Sequence, residues 1–432
     1  MSRRALEGRP GGSLPAGFSA LQHRDFRLFW LGQLVSLVGS WMQRVGQAWL
    51  VLELTNSALK LGLISSLQFT PVLLFAIPGG AIADRLSKRR LLMLTQTVLM
   101  LQALTLTVLV WTGYIRYWHV AVLATVYGLA QSLDMPTRQA FVTDLVGKSH
   151  LMNAIALNSS MFNSARLIGP AVAGLLIARY GLAQAFLLNT LSFMVVIGAL
   201  YFLRTEGASH HSGQATFTER IRGGIQYAVT TPLIRFILLL LLTISFFVLN
   251  FNVLVPLVTK QMLHSGADVF GWLMASLGGG AIVGGLTLAM VVHGRPPIML
   301  PVAAGLLVSL GTFALGFAPS FAIASATLVV MGVAQITFQA TCNTLLQLTA
   351  PDHLRGRVMS LYAVVFAGIT PFGALAVGWV AEKLGTPTAC ILGGLGGLAS
   401  VGLLTILWRS QRAARMRATN ESRGPFNLGA EP

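Results

Sequence analysis

The sequence predicts an all-α membrane protein of twelve transmembrane helices arranged as two six-helix halves, and three observations carry that prediction. Only 10% of the 432 residues are charged while 54% are hydrophobic, whereas an ordinary soluble domain is charged at about a quarter of its positions. Apolar runs close to the roughly 20 residues needed to span a hydrocarbon layer about 30 Å thick recur along the whole chain, separated by short polar turns. The chain also resembles itself. At an offset of 204 residues, Gly62, Gly80, Gly128, Gly169, Gly174, Gly181 and Gly198 fall on Gly266, Gly284, Gly332, Gly373, Gly378, Gly385 and Gly402. The same shift brings Tyr-Gly-Leu-Ala-Gln at 127–131 onto Met-Gly-Val-Ala-Gln at 331–335.

Taken in order, the runs place spans at 27–52, 60–83, 91–111, 118–135, 156–178, 183–203, 236–258, 269–292, 297–317, 320–341, 359–380 and 387–408. A barrel would show short alternating segments, and an open sheet would leave backbone groups unpaired in lipid. The two bundles cover 26–203 and 236–408, with a cytoplasmic N-terminal tail at 1–25, a cytoplasmic linker at 204–235 and a basic cytoplasmic tail at 409–432. A parallel repeat of this kind puts a substrate site between the halves near the membrane midplane. In the linker, Thr216 followed by Glu219 has capping-box spacing, and Phe217, Ile221, Ile225 and Tyr227 leave an apolar side. That pattern suits a short interfacial helix or a solvated linker equally. The last two dozen residues, rich in arginine, are expected to be disordered and to touch anionic lipid. Residues 3–18 lack the apolar core of a signal peptide, so the first span serves as the insertion signal.

Charge gives the orientation. Of the 30 lysines and arginines behind the net charge of +17, 23 fall in the N-terminus, the even-numbered turns and the C-terminus, and five fall on the opposite side. The positive-inside rule then places both termini in the cytoplasm. It also accounts for the excess charge without a nucleic-acid partner. Cys342 and Cys390 are the only cysteines and both lie in spans, so neither a disulfide framework nor a cysteine zinc site is expected.

Between the second and third spans, Gly79-Gly80-Ala81-Ile82-Ala83-Asp84-Arg85-Leu86-Ser87-Lys88-Arg89-Arg90 resembles the signature loop of the major facilitator superfamily. The acidic and basic positions match, and Ser87 stands where that family usually has glycine. The equivalent stretch of the second half, His293-Gly294-Arg295, has lost the pattern. The resemblance implies a gating loop formed by Gly80, Asp84, Arg85, Lys88 and Arg89, in which Asp84 pairs with a neighbouring helix end in one conformation and releases it in another. Such a latch predicts that Asp84→Asn slows turnover, measured as transport per inserted protein, without blocking membrane insertion.

In the fifth span, Arg166-Leu167-Ile168-Gly169-Pro170 followed by Gly174 is similar to the antiporter motif of exporters in the same superfamily. Proline inside a helix frees a carbonyl, and glycine allows close crossing. Leu21 to Phe29, Met135 to Gln139 and Pro351 to Ser360 resemble the bacterial efflux branch that contains the enterobactin exporter and macrolide efflux proteins. Together these stretches imply a proton-linked, alternating-access exporter of a small molecule such as a siderophore, drug or similar metabolite. They also imply a bacterial cytoplasmic-membrane location, function as a monomer, and no cofactor beyond the proton gradient.

Ionisable groups inside a span usually face a cavity or a partner. Arg44 belongs to a stripe with Gln33, Ser36, Ser40 and Gln47 at three- or four-residue spacing on one helix face. Arg166 shares a face with Ser159 and Asn163. Gln335 and Gln339 lie with Asn343 on the tenth span, Gln131 with Tyr127 on the fourth, and Asn250 with Phe246 on the seventh. These form the candidate substrate cavity, and interhelical hydrogen bonding is the competing reading for each amide. Carboxylates lie only near span ends, which leaves Asp134 and Glu53 as candidate proton carriers. Two arginines with no midplane acid favour an anionic or catechol-like cargo.

An importer or a lipid flippase on the same fold shares every feature above. An enzyme is a remote alternative. Gly147-Lys148-Ser149 echoes the end of a phosphate-binding loop, but Val142 stands where the first glycine is required. Neither a Gly-x-Ser-x-Gly turn nor a metal-binding His-Glu-x-x-His helix is present.

Overall fold

The computed structural model describes residues 16–207 and 226–422, and every regular element within them is helical. A single 3₁₀ stretch, Ala16–Gln22, precedes α1 (Arg24–Thr55), α2 (Ala58–Arg85), α3 (Lys88–Trp111), α4 (Tyr117–Tyr180) and α5 (Leu182–Tyr201). After the linker come α6 (Pro232–Phe247), α7 (Phe251–Leu257), α8 (Ala267–Val291), α9 (Met299–Leu315), α10 (Phe321–Thr349), α11 (Asp352–Leu384) and α12 (Thr386–Ser422). The helix α4 is two arms joined at Gly147, whose φ of 67° and ψ of 178° interrupt the helical path.

Contacts divide the chain into two compact units, one from Met1–Leu50 with Pro71–Gly213 and the other from Val51–Thr70 with Gln214–Pro432. In the first, α3 packs against both α4 and α5. Its core joins Phe26, Phe29, Leu92, Leu99, Phe141 and Phe193, with Phe29 and Phe141 edge to face at 5.6 Å. In the second, α10 packs on α8 and α9, α9 on α12, and α6 on α11 and α12. Large apolar side chains such as Trp111, Phe321, Leu403 and Ile406 point outward, as lipid contact requires.

The glycines repeated in the sequence do related work in each unit. In the first, a Cβ on Gly169 would stand 2.9 Å from the carbonyl oxygen of Val38 on α1. In the second, a Cβ on Gly373 would stand 2.6 Å from the carbonyl oxygen of Phe246 on α6. Gly169 therefore lets the second arm of α4 cross α1, and Gly373 lets α11 cross α6. Gly181 and Gly385, also paired by the repeat, adopt φ of 92° and 88° and separate α4 from α5 and α11 from α12.

Among the described residues, nine helical segments are long and apolar enough to cross a bilayer, and Met299–Leu315 is a shorter apolar helix. Neither α1 nor the first arm of α4 is among the nine. The polar residues that lower their hydropathy, Gln33, Gln43 and Gln47 on α1 and Asp134 on α4, are buried inside the protein. A hydropathy sum over a whole helix counts such residues against a span although they do not face lipid.

Several sequence expectations need correction. The segment expected to be a gating loop is helical through Arg85, and only residues 86–87 form the turn. The side chains of 76–85, including Asp84 and Arg85, and the Cα of Gly80 as a packing surface, lie outside the described side chains. The fourth run does not stop at 135 but continues as helix to Gly147, because its polar residues find partners within the protein. The seventh run breaks at 248–250 between α6 and α7. Residues 409–422, expected to be disordered, extend α12, consistent with the high helix propensity of the arginine, alanine and methionine in that stretch. The expected interfacial helix pattern over Thr216, Phe217, Glu219, Ile221 and Ile225 lies outside the described residues.

Candidate functional site

In the first unit, α1 and the second arm of α4 meet at Gly169, where a Cβ would lie 2.5 Å from Cβ of Trp41. This close approach brings Trp41 and Arg44 of α1 to the crossing that carries Phe162 and Arg166. The Arg44 guanidinium lies 4.6 Å from the centroid of the Trp41 ring, within cation–π range. Trp41 in turn meets Phe162 edge to face at 5.8 Å. Arg44 and Arg166 are close enough for their charges to act on one another, and both are half-buried. Like charges held together in a medium less polarisable than water repel more strongly than in water. An anion between them relieves that repulsion, and flanking aromatic rings accommodate a flat ligand.

The rest of the α1 stripe is buried with them: Gln33 is 1% exposed and Gln47 2%, and Ser36 and Ser40 are also buried. Among the described residues, neither polar atom of either glutamine side chain has a hydrogen-bond partner. A buried amide left in that state costs about 1–3 kcal/mol, so these two groups are poised for a ligand or water. Pro170 and Gly174, the remaining antiporter-like positions, are buried in the second arm of α4.

Three of the other amides expected to line a cavity are engaged locally. Gln131 Nε2 donates to the Tyr127 hydroxyl at 2.8 Å, Asn163 Nδ2 to the Ser159 carbonyl at 3.0 Å and Asn250 Nδ2 to the Phe246 carbonyl at 2.7 Å. Among the described residues, Asn250 Oδ1 has no partner at the α6–α7 break. Gln335 is buried and Gln339 half-buried on α10. One turn further on, Gln347 Nε2 donates to Asn343 Oδ1 at 2.5 Å.

Sequence reasoning missed a buried amide chain through three helices. Asn189 Nδ2 on α5 donates to Gln43 Oε1 at 2.6 Å, and Gln43 Nε2 donates to Gln102 Oε1 on α3 at 2.8 Å. The signal available was Gln43 beside the α1 stripe, but nothing in one helix pattern names partners on two others.

Of the two candidate proton carriers, Asp134 is fully buried. It accepts from Thr95 Oγ1 at 2.9 Å and from Gln96 Nε2 at 2.7 Å and pairs with Arg138 one turn along α4. Glu53 is exposed and interacts electrostatically with Lys260, whose Nζ donates to the Leu52 carbonyl at 2.6 Å. These belong to the second unit. In that unit Glu382 also caps α2, accepting from the backbone N–H of Ala58 at 2.7 Å and from Ser57 Oγ at 3.0 Å.

The basic residues after α2 hold neighbouring helices, Lys88 on α4 and Arg89 at the end of α5. Lys88 is buried against Asp144 at 2.6 Å. Arg89 donates through Nε to the Leu200 carbonyl at 2.7 Å and through a terminal nitrogen to the Tyr201 carbonyl at 2.5 Å, meeting the negative end of the α5 dipole. Asp25, ahead of the first span, accepts from the backbone N–H groups of Arg204 and Thr205 and from Thr205 Oγ1, each at 2.9 Å. Burial opposes ionisation of Asp25, but the hydrogen bonds from Thr205 and Arg204 and the charge of Arg24 outweigh it and hold its carboxyl below the ordinary 3.8. A depressed carboxyl stabilises the folded state above the ordinary value and loses that contribution as pH falls through the lowered one. Protection of the Arg204 and Thr205 amides, taken as exchange corrected for its intrinsic pH dependence, is therefore expected to be constant above pH 3.8 and to fall below it. Asp25→Asn should remove that step.

Among the described residues, no cluster of three or more His, Cys, Asp or Glu side chains is placed to hold a metal. Residues 15–427 match the family described as transmembrane secretion effector. The staphyloferrin A transporter of Staphylococcus aureus is 24% identical over 409 residues, covering 92% of this chain and 99% of that protein. The multidrug efflux pump Tap of Mycolicibacterium fortuitum is 26% identical, covering 82% of this chain and 88% of that one. Macrolide efflux protein A of Streptococcus pyogenes is 22% identical, with 85% and 92% covered. Among solved structures, a peptide transporter POT superposes with a TM-score of 0.73 at 13% identity, over 91% of this chain and 95% of that one. A likeness at that identity shows the fold. The chain is thus a multi-pass membrane transporter that belongs to the transmembrane secretion effector family of the major facilitator superfamily.

Proposed function

We propose that this transporter exports a small anionic molecule, of siderophore or drug type, across the bacterial cytoplasmic membrane in exchange for protons. The observation that carries the reading is the pairing of Arg44 and Arg166 beside Trp41 and Phe162. The names of similar proteins, a staphyloferrin A transporter and two efflux pumps, support solute movement of this class. In this account the guanidinium pair binds the anion, and the buried amides of Gln33 and Gln47 donate to its oxygens. Twelve spans, both termini cytoplasmic, a monomer and alternating access latched by Asp84 at the end of α2 complete the proposal.

Asp134 is the proposed proton carrier, with Glu53 the second candidate. A proton on Asp134 cancels its ion pair with Arg138 and weakens the contact between α3 and α4 made through Thr95 and Gln96. Proton binding thereby acquires a structural consequence, and no cofactor is required. Everted membrane vesicles with an imposed proton gradient, inside acidic, test the reading. A labelled catecholate should accumulate inside them and leak out when a protonophore is added. Accumulation only in right-side-out vesicles would make the protein an importer. Movement of headgroup-labelled lipid between leaflets without solute flux would make it a flippase.

A further inference from the structure

A groove of about 440 Å³ opens in the second unit where the first turn of α9 meets the far part of α12, lined by Pro297, Ile298, Met299, Trp408, Arg409 and Arg412 among others. We propose that this groove binds an anionic phospholipid of the cytoplasmic leaflet, its phosphate held by Arg409 and Arg412 and the start of its acyl chains lying on the apolar wall. The site is distinct from the arginine pair at Trp41. It rests on the orientation argued above only in assigning the leaflet.

The two kinds of wall that such a lipid needs are both present. Pro297, Ile298, Met299 and the Trp408 ring present carbon to the groove. Trp408 is fixed from behind by Phe236, with rings stacked 5.1 Å apart at 22°. Tryptophan at the end of a membrane helix sits at the headgroup level. Arg412 lies 5.6 Å over the same ring, and Arg409 reaches the Met299 sulfur at 3.3 Å. A thioether is a weak acceptor, whereas a guanidinium has five donors, so this contact satisfies little of Arg409. Both arginines are exposed at the groove. Arg235, whose terminal nitrogen donates to Gln411 Oε1 at 2.9 Å, ties α6 to this stretch of α12 and adds a third positive charge at the same end. The first turn of α9 also brings the positive end of a helix dipole to the groove.

Charge complementarity selects the occupant. A free inorganic anion would use the arginines but not the apolar wall. A zwitterionic lipid would use the wall while its own cation opposes the arginines. An anionic lipid satisfies both, and juxtamembrane basic residues favour such lipids.

Native mass spectrometry of the purified full chain tests this, after equilibration with equal amounts of phosphatidylglycerol and phosphatidylcholine. The wild type should retain phosphatidylglycerol preferentially. The paired substitution Arg409→Ala with Arg412→Ala should lower that retention about tenfold, and Arg409→Lys with Arg412→Lys should keep most of it. A melting curve on each variant shows that it is folded. Equal retention of the two lipids by the wild type, or unchanged retention in a folded alanine pair, would overturn the proposal. So would displacement of the lipid by millimolar inorganic phosphate, which would make a free anion the ligand. Transport is not the readout, so this result and that of the vesicle assay stand or fall separately.

Discussion

Replacing Gly332 with valine should leave almost no folded transporter in the membrane. A Cβ at that position would stand 2.1 Å from the carbonyl oxygen of Leu277 and 2.8 Å from the backbone nitrogen of Ala281. The obstacle is helix backbone on α8, not the end of a side chain that can turn away. The crossing is tight from both sides, because a Cβ on Gly280 would lie 2.0 Å from the Val329 carbonyl oxygen on α10. Overfilling a packed contact costs about 1–3 kcal/mol or more, and the whole stability of a domain is about 5–15 kcal/mol. Separating α8 from α10 also loosens the most extensive helix–helix contact among the described residues. At Gly402 the same kind of change meets open space. Gly402→Ala should therefore stay within about 1 kcal/mol of the wild type and gain helix propensity. Detergent-solubilised fractions and melting temperatures of the two variants, compared with the wild type, check the contrast.

Removing either arginine of the α1–α4 crossing should cost the anion most of its transport. A hydrogen bond to a charged group is worth about 1.5–3 kcal/mol, so Arg44→Ala or Arg166→Ala should each reduce catecholate flux at low substrate about ten- to a hundredfold. Insertion should persist, because the closest packing at the crossing is made by Gly169, Trp41 and Val38. The repulsion between the two guanidinium groups also disappears in either variant. The loss should therefore appear as weaker substrate binding, not as a lower melting temperature. A cationic dye should gain where the catecholate loses. Equal fluxes of the two in wild type and variants would remove the arginine pair from the account.

Features confined to one helix were legible in the sequence, and features shared between helices were not. Arg44 and Arg166 stood out because charge is rare in apolar spans, and the structure places them at one crossing. The repeat identified Gly169 with Gly373 and Gly181 with Gly385, whose packing and backbone angles match. By contrast, Gln43, Gln102 and Asn189 lie on three helices up to 146 residues apart, and periodicity along one helix cannot join them. Asp144, which neutralises Lys88, and Asp25, which holds the start of the linker, escaped notice for the same reason. Composition misjudged the C-terminal stretch because it registered the charge of its arginines and overlooked their helix propensity. Run lengths misjudged α4 because its interior carboxylates looked like a boundary until their partners Arg138 and Lys88 were known.

The most direct measurement is equilibrium binding to the purified protein in detergent, with no gradient imposed. A catecholate and a cationic dye of similar size are titrated against wild type, Arg44→Gln and Arg166→Gln at low and high salt. Binding of the catecholate at least tenfold tighter than the dye, weakened by salt and lost in both glutamine variants, is the predicted outcome. Tighter binding of the dye, or catecholate affinity indifferent to both substitutions, would contradict it.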